Sequence, residues 1–279
     1  MKLVEQSFEI ISQEAGIKGI YKQIEKAGRT CYKSEDKITE DSAKKFVDML
    51  TNNCHGAMLE HGTIYLYIEY TSPFANFELY NIGSNMNVRY SRNKFSRVNI
   101  ITEDHYKTKC FITTNYRVLV ENGWLEDLKY QCEPTEYHAK RITVKFVCDR
   151  GVSHEFVRHR VFSFAQESTR YCNYSKAKFG NELTFIEPCW EMKDLDRNIF
   201  SGFLQCAESS YIGLITMGWK PQEARAVLPN SLKTELVMTG FIDDWKHFFE
   251  LRCDSAAHPQ ARELAIPLQD WFKENNLID

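Results

Sequence analysis

The chain has 279 residues, and 43% of them are hydrophobic, which is enough to bury a sizeable core and excludes intrinsic disorder. A net charge of −3 argues against a general polyanion-binding protein, because such proteins carry basic domains. The nine cysteines contain no C-x-x-C pair, which indicates reduced thiols. The N-terminus shows no signal-peptide pattern, and no segment reaches the ~18 apolar residues that suggest a membrane span. We therefore expect a cytoplasmic protein without a membrane partner.

In the first half of the chain, the apolar pattern predicts one helix and two strands. The helix covers residues 39–59, where apolar residues recur at helical spacing. The strands are "GTIYLYIEY" at 62–70 and "RITVKFVCD" at 141–149, which alternate between apolar and polar positions. Residues 73–139 are less regular and rich in Asn, Ser and charge. They are predicted to lie on the outside of the core.

The second half of the chain predicts mainly helices. Ser153 is expected to cap a helix that runs through "HEFVRHR". The remaining predicted elements are a helix from Asp194 to Met217 ended by Gly218, a short helix from Pro221, a strand at 232–240, a helix at 243–252 and a last helix from Pro259.

The order of these elements favours the α+β class, with helices around an antiparallel or mixed sheet and an insertion at about 76–139. Strands and helices alternate too irregularly for a doubly wound sheet. The sequence contains neither G-x-G-x-x-G nor G-x-x-x-x-G-K-[ST]. Any nucleotide is therefore held by side chains and helix ends, not by a glycine-rich loop.

Two pairs of histidines look like metal sites, but their spacing is wrong. His154 and His159 are five residues apart, which places them ~140° apart around a helix. His55 and His61 are six apart and fail in the same way. We predict no metal site.

The segment "RHRVFSFAQESTRY", residues 158–171, concentrates cations and small polar groups in a chain that is acidic overall. In a helix, Arg158 and Arg160 would point to nearly opposite sides and bind two different anionic groups. In an extended backbone, Gln166, Ser168 and Arg170 would line up on one side. Guanidinium groups suit phosphate, and amides and hydroxyls suit the edge of a heterocycle. The alternative is a solvated basic helix end with ion pairs to surface acids.

Three further positions are candidates with structural alternatives. Arg225 lies early in "EARAVLP" and could pair with Glu223 instead of a ligand. Arg252 ends an aromatic helix, where an arginine also complements the helix dipole. In "EHGT", residues 60–63, the pattern alone does not separate a structural from a functional histidine.

Taken together, these segments resemble the flavin-dependent thymidylate synthases. The signature of that family is an R-H-R triplet, seven further residues and a serine, here Arg158-His159-Arg160, "VFSFAQE" and Ser168. The resemblance extends in the family's order to "EHGT", "GVSHEFV", "TRY", "EARAVLP" and "LRCDSAAHPQARE". It covers residues of roughly 45–75 and 140–275.

The resemblance implies one catalytic domain over residues 1–279 that converts dUMP to dTMP. The carbon comes from 5,10-methylenetetrahydrofolate, and the electrons come from NADPH through FAD. It also implies a homotetramer with shared active sites. The implied FAD contacts are Thr63, Arg158, His159, Arg160, Gln166 and His247. The implied dUMP contacts are Glu155, Arg158, Gln166, Glu167, Ser168, Thr169, Arg170, Arg225 and Arg252.

Arg252 is the implied catalytic residue, because it occupies the family position that promotes ionisation of the pyrimidine. A guanidinium can stabilise negative charge on the uracil ring without a cysteine nucleophile. Ser168 then orients the substrate, and Cys172 is the rival nucleophile or an inert buried thiol. Many family members have Asn-Glu where this chain has Ala165-Gln166, and some have Asn at His247.

Two other classes remain as alternatives. The first is a nucleic-acid-binding module that uses the basic and aromatic segments, including "RYSRNKFSR" at 89–97. The second is a flavin-dependent NADPH oxidoreductase that lacks methyl transfer.

Overall fold

Nine strands form three sheets in the part of the chain that the computed structural model describes, residues 1–103 and 107–279. The strands are β1 (Lys2–Val4), β2 (Ser7–Ile11), β3 (Thr63–Thr71), β4 (Arg97–Glu103), β5 (Lys107–Asn115), β6 (Arg141–Asp149), β7 (Ser163–Gln166), β8 (Thr184–Ile186) and β9 (Lys233–Phe241). The helices are α1 (Gly16–Tyr32), α2 (Ser42–Asn52), α3 (Gly56–Leu59), α4 (Phe77–Ser91), α5 (Tyr116–Asn122), α6 (Arg150–Phe156), α7 (Asp194–Thr216), α8 (Pro221–Ala224), α9 (Ile242–Arg252) and α10 (Pro259–Glu274). The prediction of an α+β fold with antiparallel sheets is confirmed.

The central sheet has the strand order β2-β6-β9-β7, and every pair in it is antiparallel. The alternating residues Val144, Phe146 and Cys148 of β6 are fully buried. They pack in one core cluster with the aromatic side chains of α9 and the apolar face of α10. This burial removes apolar surface from water and is the main force that holds both helices on the sheet.

A second sheet, β3-β5-β4, shows that the prediction for residues 73–139 was wrong. This region contains two long strands and two helices, and its side chains form one core with β3, α1 and α2. The asparagines that suggested an irregular segment cap the helices. Asn76 Oδ1 accepts a hydrogen bond from Leu79 N, and Asn115 Oδ1 accepts one from Val118 N.

The helix predicted over residues 39–59 is interrupted. Helix α2 ends at Asn52 and α3 begins at Gly56. Between them, Cys54 has φ 55°, in the left-handed region that a helix cannot contain. The apolar spacing continues across this break, which is why the sequence pattern did not reveal it.

The helix before the R-H-R triplet was also placed wrongly. Its cap is Asp149, whose Oδ1 accepts a hydrogen bond from Val152 N at 2.6 Å, and the Ser153 hydroxyl donates to the Arg150 carbonyl. The helix ends at Phe156. Arg158 and Arg160 therefore lie in a turn and not on two faces of a helix.

The C-terminal predictions agree with the structure. Helix α7 begins at Asp194, Gly218 has φ 94° after its end, and Pro221 and Pro259 start α8 and α10. Strands β1 and β2 and helix α1 were not predicted. Within the described ranges, no helix combines the length and apolar character needed to cross a membrane.

Candidate active site

The R-H-R triplet lies in the turn that joins α6 to β7. Arg158 and Arg160 are exposed, whereas His159 is buried between them. The His159 ring packs against Phe248 of α9, with ring centroids 5.0 Å apart. The turn therefore presents two cations outward and fixes its histidine in the core.

Arg252, the last residue of α9, is held by three hydrogen bonds. Its Nε donates to His159 Nε2 at 3.0 Å, its Nη1 donates to Glu155 Oε2 at 2.8 Å, and its Nη2 donates to the Glu155 carbonyl at 2.8 Å. A guanidinium has five N–H donors, so two remain available for a ligand. The structure thus brings together three of the predicted site residues.

His159 is electrically neutral in this arrangement. Burial, Arg252 and His247 lower its pKa to about 4. The hydrogen bond from Arg252 requires an acceptor at His159 Nε2, which places the ring proton on Nδ1. His247 is exposed, and its ring lies 6.2 Å from that of His159.

We expect His159 to contribute to acid denaturation. Its folded pKa lies below the unfolded value of about 6.5, so the unfolded state binds more protons as the pH falls. Stability from this group is therefore complete above pH ~6.5 and is lost towards pH ~4. His159→Gln should flatten the fall in unfolding free energy over this range, measured by urea denaturation at several pH values. An unchanged profile would contradict the neutral, buried state; His154→Gln, which changes an exposed ring that does not act on His159, is the control.

The segment from Gln166 to Arg170 does not line its side chains up on one side, because β7 ends at Gln166. Gln166 Nε2 donates to Ser153 Oγ at 2.8 Å. The buried Glu167 carboxylate accepts from Tyr174 OH at 2.9 Å and from Lys233 Nζ at 3.0 Å. The Glu167 side chain therefore faces the interior.

The end of the segment meets Arg225. Thr169 Oγ1 lies 3.4 Å from Arg225 Nη1, and both Arg225 and Arg170 are exposed. Ser168 Oγ accepts a hydrogen bond from Arg170 N at 3.3 Å. Two guanidinium groups thus flank a turn that carries two hydroxyls.

A buried cluster of charges around Glu235 contacts the segment at Glu167. The Glu235 carboxylate lies 2.6 Å from the ammonium groups of Lys33 and of Lys145, and 2.5 Å from that of Lys233. The Glu235 carbonyl accepts from Glu167 N at 2.8 Å. Glu235 is buried, so its charge is balanced almost entirely by these lysines.

Arg141 is a candidate site residue that the sequence analysis missed. Its Nη1 lies 3.2 Å from Thr63 Oγ1, and its Nη2 lies 3.3 Å from Ser163 Oγ. Burial lowers its pKa to about 10. Its Nε is buried and has no hydrogen-bond partner in the described ranges. An arginine at the first position of a strand with a buried apolar face was the signal that could have identified it.

A cavity of about 200 Å³ lies between Arg141 and Arg160. Lys94 and Arg97 also line it, and Asp244 is its one carboxylate among the described residues. The guanidinium groups of Arg97 and Arg141 lie 4.7 and 5.5 Å from the Phe241 ring centroid. Four cations against one carboxylate give this cavity a positive potential, which favours an anionic ligand. Thr63 does not line this cavity but a neighbouring one, which shares Arg141 with it.

The remaining candidates have structural roles. His61 is buried, its Nδ1 lies 2.8 Å from Thr239 Oγ1, and burial lowers its pKa to about 3. Burial and the neighbouring Glu167 raise the pKa of Cys172 to about 12, which makes it a poor nucleophile. In the part of the chain described here, no three His, Cys, Asp or Glu side chains are arranged to hold a metal ion.

Residues 133–275 match the profile of the family described as "Thymidylate synthase complementing protein". This match covers just over half of the chain and includes Glu155, His159, Arg225 and Arg252. The chain belongs to this family, as the resemblance of its motifs predicted.

Several curated relatives are named flavin-dependent thymidylate synthase. The protein from Geobacter sulfurreducens is 32% identical over 119 residues, which are 43% of this chain and 50% of that protein. The protein from Pyrococcus furiosus is 35% identical over 134 residues, 47% of this chain and 53% of that protein. The chain spans about half the length of the curated relatives that it matches.

Among solved structures, a UMP/dUMP methylase PolB from Streptomyces cacaoi bound with 5-Br dUMP matches at a TM-score of 0.44 and 17% identity. The match covers 98% of this chain and 93% of that chain.

Proposed function

We propose that the protein is a flavin-dependent thymidylate synthase, which methylates dUMP to dTMP with methylenetetrahydrofolate as carbon donor and NADPH as reductant. The observation that carries this proposal is the position of Arg252, fixed by Glu155 and His159 of the motif region with two N–H donors left over. Membership of the family and the names of the relatives support it.

Arg252 acts as an electrostatic catalyst. Methylation at C5 of uracil requires electron density at that carbon, which increases when negative charge on the N3–O2/O4 system is stabilised. Arginine stays protonated at neutral pH, so it stabilises this anion and does not act as a base. Because the side chain is only 15% exposed, its charge is screened less than it would be in water. Glu155 and His159 orient it before the substrate arrives.

The dUMP site is assigned to the turn beside this arginine. Arg158, Arg170 and Arg225 supply exposed guanidinium groups for the phosphate, and Ser168 and Thr169 supply hydroxyls. Two side chains fix residues around this site. Gln166 donates a hydrogen bond to Ser153, and Glu155 accepts one from Arg252. Since the Glu167 side chain is buried and bound to Tyr174 and Lys233, any contact between Glu167 and dUMP comes from its backbone.

The cationic cavity fits the diphosphate of FAD. Of the FAD contacts that the family resemblance implied, Arg160 lines this cavity and Thr63 contacts its Arg141. Arg141, Arg97 and Lys94 add positive charge to the cavity. His159, His247, Arg158 and Gln166 remain proposed flavin contacts. When bound, the flavin supplies the electrons that complete the methyl group.

We also propose a single catalytic domain over residues 1–279, a homotetramer and a cytoplasmic location. Leu195, Ile199 and Phe203 follow one another at a spacing of four along α7 and are 69%, 65% and 58% exposed. This exposed apolar stripe suits a contact with another subunit. All nine cysteines are free, which fits a reducing compartment.

The purified protein should be yellow, and its oxidised-flavin absorption should bleach when NADPH is added without oxygen. Addition of dUMP and methylenetetrahydrofolate should then yield dTMP, detected by chromatography. Bleaching without dTMP would favour an NADPH oxidoreductase. A colourless protein that binds polynucleotides in a strongly salt-dependent way would favour the nucleic-acid-binding module.

Arg225→Ala should raise the KM for dUMP by about ten- to a hundredfold, because it removes charge-assisted hydrogen bonds to the phosphate. The flavin spectrum should stay unchanged, since Arg225 lies outside the cationic cavity. Arg92→Ala, which removes an exposed arginine at the end of α4, is the matched control. An unaltered KM for dUMP would remove Arg225 from the site.

A further inference from the structure

A basic groove lies beside α2, and it adjoins the turn of residues 166–170, which we call the substrate turn. Its volume is about 620 Å³. Its arginine and lysine residues are Arg29, Lys37, Lys45 and Lys178. No carboxylate is among the described residues that line it, although the whole chain has a net charge of −3. A local excess of positive charge in an acidic protein needs a specific explanation.

The charge of the groove is only partly neutralised. Arg29 pairs with Glu25 at 2.9 Å and lies 4.4 Å from the Phe46 ring centroid. Lys37 and Lys45 are exposed and form no ion pair with the residues that the structure describes. Lys44 of the same helix does not line the groove and, by contrast, pairs with Asp48 at 2.7 Å. The two unpaired ammonium groups are therefore available to an anionic ligand.

The groove begins where the substrate turn ends. Ser168 N donates to the carbonyl of Cys31 at 3.0 Å, so the turn is attached to the end of α1. The next residue along α1, Tyr32, packs against Tyr171 with ring centroids 5.3 Å apart. Tyr32 also lines the groove, together with the exposed Met49. A ligand that leaves the substrate turn would meet two aromatic rings and then the cations.

We propose that this groove binds the γ-glutamyl tail of the folate co-substrate. This inference rests on the proposed function, which requires methylenetetrahydrofolate. That molecule carries an aromatic aminobenzoyl group followed by one glutamate or by a chain of γ-linked glutamates, each with a free carboxylate. The aromatic pair suits the first part and the lysines suit the second. Lys37 and Lys45 lie outside residues 133–275, so they are a feature of this chain beyond the family match.

The test compares monoglutamyl with pentaglutamyl methylenetetrahydrofolate. In the wild-type protein, the pentaglutamyl form should have the lower KM. The double variant Lys37→Gln/Lys45→Gln should raise the KM for the pentaglutamyl form by about two- to thirtyfold, as expected for two exposed ion pairs. Its KM for the monoglutamyl form should change less than twofold. The difference between the two folates should shrink with added salt.

The control variant Lys44→Gln/Lys273→Gln removes the same charge from exposed lysines outside the groove and should behave as wild type. Equilibrium binding of both folates is measured in parallel. Failure to form dTMP from either folate would overturn the proposed function, whereas equal affinity for the two folates in the wild type would overturn only the groove. A polynucleotide that competes as well as the pentaglutamyl folate would mark a general polyanion surface and also overturn the inference.

Discussion

Replacing Arg252 with alanine should reduce kcat for dTMP formation by at least about 10²–10³, the cost of removing one preorganised donor to a developing anion. Flavin absorption should persist, because Arg252 lies outside the cationic cavity around Arg160. Arg252→Lys should recover only part of the rate, since an ammonium group keeps the charge but lacks the planar fork that binds Glu155 and His159 and leaves two donors for the substrate.

A second measurement separates a catalytic from a merely structural effect. Arg252 is one of the groups that lower the pKa of His159, so in Arg252→Ala that pKa should rise from about 4. NMR titration of the histidine resonances would show the change. Lys246→Ala, on the same helix and exposed, should change neither the rate nor the titration. Full activity of Arg252→Ala would contradict the proposed mechanism.

Glu235→Ala should lower the free energy of unfolding by about 3–5 kcal/mol, because it leaves three lysines without the buried carboxylate that balances them. Glu235 is 6% exposed, so water replaces little of this interaction. Chemical denaturation measures the effect. Glu14→Ala, which breaks an exposed pair with Lys22, should leave the stability unchanged.

The same carboxylate should appear in the pH dependence of stability. Burial alone would raise the pKa of Glu235, but Lys233, Lys33 and Lys145 outweigh it and hold that pKa well below its usual range. The stabilisation is therefore complete above the ordinary value of about 4.3 and is lost as the pH falls towards the folded pKa. Glu235→Gln should remove this acid-dependent loss. If the alanine and glutamine variants were as stable as wild type, the lysines would not depend on this partner.

Sequence patterns predicted those elements in which the spacing of apolar residues matches the buried face in the structure. Strand β6 was predicted with its observed bounds, because its alternation matches a buried face under α9 and α10. Helix α4 was missed because apolar and polar residues are mixed around its circumference, and its packing comes from the β3-β5-β4 sheet. Strand β2 pairs with a segment about 140 residues later, which no local pattern reveals.

The site was predicted as a set of residue types but not as an arrangement. The motif indicated anion binding, yet the sequence did not show that Gln166 and Glu167 would turn inward while Arg170 and Arg225 stay exposed. Arg141 and Glu235 were missed because their importance comes from partners distant in sequence. From the sequence alone, a charged residue in a strand is interpreted as facing solvent, because the neighbouring strand and helix that bury it are not known.

The strand order of the central sheet has a consequence for synthesis on the ribosome. Strand β2 emerges early, but its partner β6 is about 140 residues away, which corresponds to roughly 7–28 s of translation. Strand β9, which lies between β6 and β7, is made later still. The β3-β5-β4 sheet, by contrast, is complete once residue 115 has emerged. We expect the β3-β5-β4 sheet to fold first and to bury β3. Strand β2 stays unpaired until β6 has been synthesised.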